Sequence, residues 1–374
     1  MAVLICGSMI GLSACGTTQQ AASPSPQPVP AQQQKADWEV EWEKTLELAK
    51  KEGEVLVTAW PSAQRENLMK EFEKDYPGIK VKFTGITYNE ASAKLKAEQS
   101  QGKYLWDVAT EGLDAQFDDL RKYIIDPEIK NDKNWYAGFE AGFKALAETP
   151  YEGRYVYGLL AAPTIWINND VIPEGEIKTY DDLLNPKYKG KTVAYNFDRP
   201  GQATVSLIGI ALAKGDDFLL KMIENLQPVP SLDHRQNAQW FASGKYPIGI
   251  GLDTNQLKQF TDNGVVKKIQ RLRLDKANVY SPFSIAVLKN PPHPNASKIF
   301  VNWYLSKKGQ DAFVKNVFYL SRRTGVEEVK SPDVIPWAQI DTEKAMPYYS
   351  KTGAPKETWV IEQGKKYNAS LQKK

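Results

Sequence analysis

Short apolar runs alternate with helical segments along the first half of this chain, and that rhythm limits its fold more than any other feature. Val55-Leu56-Val57-Thr58 has the length and β-branched content of a buried strand, and Ser62 stands as the N-cap of a helix carrying Leu68 and Phe72. Past Pro77-Gly78, Ile79, Val81 and Phe83 alternate as a second strand. Asn89 to Gln101 reads as a helix ended by Gly102, and Trp106-Asp107-Val108-Ala109 as a third strand. Strand followed by helix, repeated, predicts a parallel sheet with both faces covered.

A second unit of the same kind follows. Ile165-Trp166-Ile167, Thr192 to Tyr195 and Ile248-Gly249-Ile250 are its expected strands, with helices at 201–214 and 216–226. Ser284 to Leu288 reads as a strand returning to the first unit. Helices at 295–305 and 308–316 then lead into a tail punctuated by aromatics and prolines. Upstream, Asp37 caps a helix with Trp38, Trp42, Leu46 and Ala49 at helical spacing, stopped by Gly53. No repeat at a fixed period is visible. The expected fold class is α/β in two lobes, the second lobe (164–280) inserted into the first (37–163 with 281–374).

The 374 residues are enough for two domains with real cores. Lys and Arg number 48 against 45 Asp and Glu, so there is no basic stripe for nucleic acid. Two His and two Cys leave no material for a His/Cys zinc centre or a disulfide framework. No cofactor and no metal are expected.

Residues 1–14, MAVLICGSMIGLSA, are apolar but shorter than the ~20 residues a spanning helix needs, and match the apolar region of a signal peptide. Leu12-Ser13-Ala14-Cys15 resembles the lipobox of bacterial lipoproteins, which makes Cys15 the lipidated first residue of the mature chain. No Lys or Arg precedes the run, a departure from that pattern. Residues 15–36 carry Pro24, Pro26, Pro28 and Pro30 among Gln, Ala and Ser, and can only be a tether, reaching ~25 Å as a coil. The chain is therefore expected outside the cytoplasm, held to the membrane by lipid alone.

In open α/β sheets, ligands sit beyond the carboxyl ends of the strands where strand order reverses. That rule selects Trp60, Ser62 and Ala63 after the first strand, and Thr110 and Glu111 after the third. In the second unit it selects the turn from Asp198 into Gly201, Gln202, Ala203 and Thr204, and Asp253 after Ile250. The free amides of a helix opening at Gly201 suit an anion, with Arg199 beside them as a two-pronged donor. The alternative for Arg199 is a surface pair with Asp198 or Asp181. Trp60 either stacks on a ligand or packs between strand and helix. Arg235, after the Pro228/Pro230 loop, either reaches the same cleft or is a solvated helix-start residue.

An enzyme is the competing class. Ser100-Gln101-Gly102-Lys103 fits S-x-x-K and Lys351-Thr352-Gly353 fits K-T-G, the pair used by penicillin-binding proteins. That nucleophile begins a helix, however, whereas Ser100 ends one, and no S-D-N occurs. A cell-surface sensor of the same fold is a further alternative.

From about Gly53 to Val326 the chain resembles extracellular solute-binding proteins of family 1, receptors of ABC importers. It lies nearest the branch that includes ferric-iron, thiamine, polyamine and phosphonate binders. The resemblance is carried by Trp106-Asp107-Val108-Ala109, by Val156-Tyr157-Gly158 running to Trp166-Ile167-Asn168-Asn169-Asp170, and by Tyr180 to Lys191. Gly244 to Ile250, His293 to Trp303, Ser306 to Gln310 and Ser321-Arg322-Arg323 complete it. It implies a type II periplasmic-binding-protein fold, with crossings near Ala161–Thr164 and Tyr280–Ile285 and a small-molecule solute closed between the lobes. A monomer with permease and ATPase partners is implied as well. Iron-binding relatives carry adjacent tyrosines after the strand corresponding to Ile248-Gly249-Ile250, where this chain has Gly251-Leu252-Asp253; Tyr348-Tyr349 lies in the tail. The expected solute is thus organic and anionic, a carboxylate or phosphonate, and polyamines, which Glu111 and Asp253 could meet, are the alternative.

Overall fold

Two sheets, each with a parallel core of three strands, organise the chain. The computed structural model describes residues 35–110, 115–136, 138–147, 153–162, 165–272, 279–328 and 353–373. The expected signal peptide, Cys15 and the tether up to residue 34 lie outside these, as do Glu111 and Tyr348-Tyr349.

Helix α1 (Asp37–Glu52) ends at Gly53, whose φ of +76° is the left-handed turn that lets the chain double straight back into β1 (Glu54–Ala59). Then come α2 (Ala63–Asp75), β2 (Lys80–Gly85), α3 (Tyr88–Ser100) and β3 (Val108–Ala109). Helices α4 (Pro127–Lys130) and α5 (Phe139–Ala147) precede β4 (Tyr155–Ala162). The second sheet takes β5 (Ile165–Asn168), β6 (Thr192–Tyr195), α6 (Gln202–Lys214) and α7 (Asp216–Leu226). It continues with β7 (Val229–Ser231), α8 (His234–Ala242), β8 (Ile248–Ile250), α9 (Thr254–Asp262) and β9 (Ile269–Leu272). The chain returns through β10 (Val279–Val287), α10 (Pro294–Leu305), α11 (Lys307–Val317) and β11 (Leu320–Ser321), and α12 (Gly353–Leu371) follows.

Strand order in the first sheet is β11-β4-β10-β3-β1-β2, and in the second β7-β6-β8-β5-β9. In each, one strand lies between its two parallel partners: β1 between β2 and β3, and β6 between β7 and β8. The strand order therefore reverses beside β1 and beside β6, the geometry that opens a crevice at the strands' carboxyl ends. Strands β4 and β10 run antiparallel from Val279↔Ala162 to Ile285↔Tyr155, with a register shift between Phe283 and Ser284. The chain leaves the first sheet after β4 and comes back between Leu272 and Val279. That return lies just ahead of the expected crossing at Tyr280–Ile285, which falls inside β10.

Each sheet has its own core. The first buries Phe72, Tyr157, Phe300, Trp303 and Phe313. The second buries Ile165, Ile167, Leu207, Leu219 and Met222. Helix α10 is anchored at both ends by polar groups. The Glu52 carboxylate accepts from the amides of Asn295 and Ala296, and buried Asn302 accepts from those of Ile125 and Asp126. Satisfying such backbone donors is what permits the loop at 123–126 to sit against the core.

The tail departs from its expected irregular form and from its assignment to the first lobe. Residues 353–371 are helical, and Val360 is fully buried in the second core, with Trp359 and Tyr367 packed on it. Lys356 pairs with Asp216 at 2.7 Å and the Tyr367 hydroxyl donates to the Pro228 carbonyl. Helix α12 thus belongs with the second sheet, although the chain reaches it from the first.

Candidate functional site

The turns at the two reversals of strand order face each other. After β1 the chain passes Trp60 and Pro61 to Ser62, whose hydroxyl accepts from the Arg65 amide (3.2 Å) and Nη1 (3.4 Å), capping α2. Thr110, after β3, is buried and its carbonyl accepts from the Tyr157 hydroxyl at 2.8 Å. Ser62 and Thr110 are therefore engaged in holding the first sheet's rim.

In the second sheet, β6 runs through Asn196-Phe197-Asp198 to Arg199 and Gly201. Gly201 is extended, and a Cβ there would lie 2.8 Å from the Tyr195 ring, so the turn into α6 needs glycine. The first intrahelical bond of α6 runs from the Val205 amide to the Gly201 carbonyl, leaving the amides of Gln202, Ala203 and Thr204 ahead of it. The Thr204 hydroxyl donates to the Arg199 carbonyl (2.6 Å), which fixes the approach to the helix. At the end of β8, Gly251 has φ +66°, and a Cβ there would run into the backbone of Ala203. The segment after β8 thus begins with a tight turn packed on the helix start.

Arg199 makes the surface pair that was one of its two readings. Its Nε donates to Asp198 at 2.7 Å. Burial would raise the Asp198 carboxyl, but Arg199 and the amides of Asn368 and Asn196 outweigh it and hold it below its ordinary value. Asp253 is buried and acts as the N-cap of α9, accepting from the Gln256 amide (2.9 Å) while Gln202 Nε2 donates to its other oxygen (3.2 Å). Helix α12 supports the turn from behind. Asn368 donates to Asn196 (2.9 Å) and Asp198 (3.0 Å), Tyr367 stacks on Phe197, and Gly364 lies directly on the Phe197–Asp198 peptide.

Between the sheets lies an open cavity of about 670 Å³ lined by Ala63 and Gln64 from α2, by Leu232 and Asp233 from the turn after β7, and by His234, Arg235, Gln256 and Gln259 from α8 and α9. Its size suits a small organic molecule. Of the residues selected from sequence, Ala63 and Arg235 line it, and Arg235 is also exposed at the start of α8. Trp60 reaches across to the second sheet and meets the His234 ring edge-on, centroids 5.4 Å apart. His234 in turn stacks flat on Tyr195, at 4.1 Å and 6°.

His234 went unnoticed in the sequence because the segment before it reads as a proline-rich loop. Those prolines lie next to and within β7, an edge strand, where Pro230 needs no ladder donor. The signal available was one of only two histidines placed directly after a strand end.

Ser100 closes α3, and its hydroxyl donates to the Ala97 carbonyl (2.9 Å), the wrong end of a helix for an S-x-x-K nucleophile. Lys351 and Thr352 lie outside the described residues. Among the described residues, no group of three or more His, Cys, Asp or Glu is placed to hold a metal ion, and no helix is long and apolar enough to cross a membrane.

The sequence model of the family described as bacterial extracellular solute-binding protein matches residues 67–342. No curated protein matches the chain by sequence. Solved structures do match. The periplasmic binding protein AfuA of Actinobacillus pleuropneumoniae, with fructose-6-phosphate bound, superposes with a TM-score of 0.61 at 19% identity, covering 83% of this chain and 97% of that one. Iron-bound HitA of Pseudomonas aeruginosa gives 0.61 at 14% identity, over 83% and 99%. Apo ferric ion-binding protein A of Pasteurella haemolytica gives 0.59 at 17%, over 84% and 98%. At these identities the likeness is one of fold, that of type II periplasmic binding proteins.

Proposed function

We propose, for a chain that belongs to the bacterial extracellular solute-binding proteins, that it captures a small organic anion in the cavity between its two lobes and delivers it to an ABC permease. The observation that carries this is the cavity lined from both sides, by Ala63 and Gln64 on one lobe and His234, Arg235, Gln256 and Gln259 on the other. A ligand there touches both lobes only when they are together, so binding favours the closed form, which the permease can recognise.

The charge of the solute follows from which groups remain for it. Arg235 lines the cavity beside the opening turn of α2, whose positive end favours an anion. The nearby carboxylates are committed: Asp233 caps α8 through the Gln236 amide (2.9 Å), and Asp253 caps α9. That weighs against polyamines. The absence of tyrosine from Gly251 to Gln256, after β8, weighs against ferric ion. Sugar phosphate and ferric iron, bound by the structural neighbours AfuA and HitA, are both accommodated by this fold, and the residues here favour the organic anion. Arg199 at the α6 turn would join the site by exchanging Asp198 for the ligand. Lobe limits near 163 and 280 and anchoring through lipid on Cys15, with the protein acting as a monomer beside its permease and ATPase, belong to the same reading.

The test is thermal unfolding against carboxylates, phosphonates, sugar phosphates, polyamines and ferric citrate. A ligand at 100 times its Kd adds ~2.7 kcal/mol of stability, a shift of several degrees. Arg235→Ala should weaken the active anion by roughly 10-fold or more, the scale of a charge-assisted contact. Unchanged affinity in Arg199→Ala removes the α6 turn from the site, and shifts only with polyamines or iron overturn the anion.

A further inference from the structure

His234 stands apart from the other buried polar groups of the described residues. It opens α8, lines the cavity, and is fixed on two sides: Tyr195 covers one face of its ring and the Trp60 ring meets it from the other lobe. Yet neither Nδ1 nor Nε2 has a hydrogen-bond partner among the described residues, and both are shielded from solvent. A buried polar atom left unpaired is destabilising, and such groups in native proteins ordinarily mark a place where something else completes the bonding. One turn on from His234, Asn237 Oδ1 is also buried without a hydrogen-bond partner among the described residues.

Building on the receptor reading above, we propose that His234 recognises a hydroxyl group of the solute, so that the anion this protein takes is a hydroxylated one: a polyhydroxy acid or a polyol phosphate. A neutral imidazole presents an N–H donor on one edge of its ring and a bare nitrogen on another, and a hydroxyl can serve either one, accepting from the first or donating to the second. Burial disfavours the charged ring, against the pull of Asp253 and Asp233, so the neutral form is the one on offer. A carboxylate, which only accepts, is served better by Arg235. The division of labour is then an arginine for the charge and a histidine for the hydroxyl. With Trp60 pressed on the ring, the histidine is in its reading position only when the lobes are together.

The experiment measures affinity of the purified protein for matched pairs: gluconate against hexanoate, and glycerol phosphate against propyl phosphate. Three forms are compared: wild type, His234→Phe, which keeps an aromatic ring on Tyr195, and His234→Gln, which keeps a donor and an acceptor. The wild type should prefer the hydroxylated member of at least one pair by about 10-fold or more. His234→Phe should bind both members alike, and His234→Gln should retain part of the preference. A wild type that binds both members equally, or a preference that persists in His234→Phe, overturns the proposal. If the wild type binds some other solute of the wider panel but no hydroxylated anion, His234 is misassigned while the receptor reading stands; if it binds nothing, both fall.

Discussion

Replacing Gly364 with alanine sets two effects of known sign against each other. Gly364 lies within α12, and in an isolated helix alanine is favoured over glycine by about 1 kcal/mol. Here, however, an added Cβ would fall 2.6 Å from the Phe197 carbonyl carbon and 2.8 Å from the Asp198 nitrogen, with the Phe197 oxygen closer still. All three are backbone atoms that cannot rotate away, so the helix must withdraw by about 1 Å to reach ordinary contact. Overpacking of this kind costs ~1–3 kcal/mol. Withdrawal also stretches the Asn368 bonds to Asn196 and Asp198, each contributing ~1 kcal/mol. Packing wins, and Gly364→Ala should lose about 2 kcal/mol net. Equilibrium urea unfolding followed by tryptophan fluorescence reads this directly, with Trp359 on the same helix. Lys365→Ala, at an exposed neighbouring position, should stay within about 0.5 kcal/mol of wild type. A Gly364→Ala protein as stable as wild type, or more so, would mean that helix propensity rules and that α12 does not lie on the Phe197–Asp198 turn.

Gly251→Ala combines a left-handed φ, costing ~1–2 kcal/mol, with a collision against Ala203, and should destabilise by about 3 kcal/mol in the same assay; a loss under 1 kcal/mol contradicts the tight packing of that turn on α6. Because burial lowers the folded pKa of His234, its contribution to stability is fully present above the unfolded value of about 6.5 and is lost as pH falls through the folded value. Stability measured from pH 7.5 down to 5 should therefore fall less steeply in His234→Gln than in wild type, and parallel curves would show that the ring is not shielded.

Much of this fold was legible in the sequence because the parallel strands keep a strong local pattern. Val55 and Val57 of β1 and Ile248 and Ile250 of β8 are buried as their apolar runs predict. The loops chosen by strand-end reasoning do follow the ends of β1, β3, β6 and β8. The strand β10 was read only from Ser284, since Pro282 and the register shift beside it interrupt the alternation that marks a strand. Helix α12 was missed because Gly353, Pro355 and Gly364 depress its helical propensity, and tertiary packing on the second core overrides that. The site was only half legible. Strand ends can be read from periodicity, but whether Asp253 meets a ligand or caps a helix, and whether Arg199 reaches outward or back to Asp198, depends on side-chain geometry. The pairing of Trp60 with His234 joins residues of different lobes and leaves no local trace at all.

The docking of α12 has a consequence for how the chain is made. Asp198 and Asn368 are 170 positions apart, and bringing such distant residues together costs ~4–5 kcal/mol in chain entropy before any contact repays it. A polypeptide emerging from its amino end presents β5 through β9 long before Val360 and Tyr367 exist to cover α6. Until then one flank of the second core is open and the Asp198 turn is unsupported. The second lobe therefore cannot mature on its own sequence alone. It waits for a helix encoded after the whole return through the other lobe, so half-made or clipped chains are barred from holding the turn in its finished form.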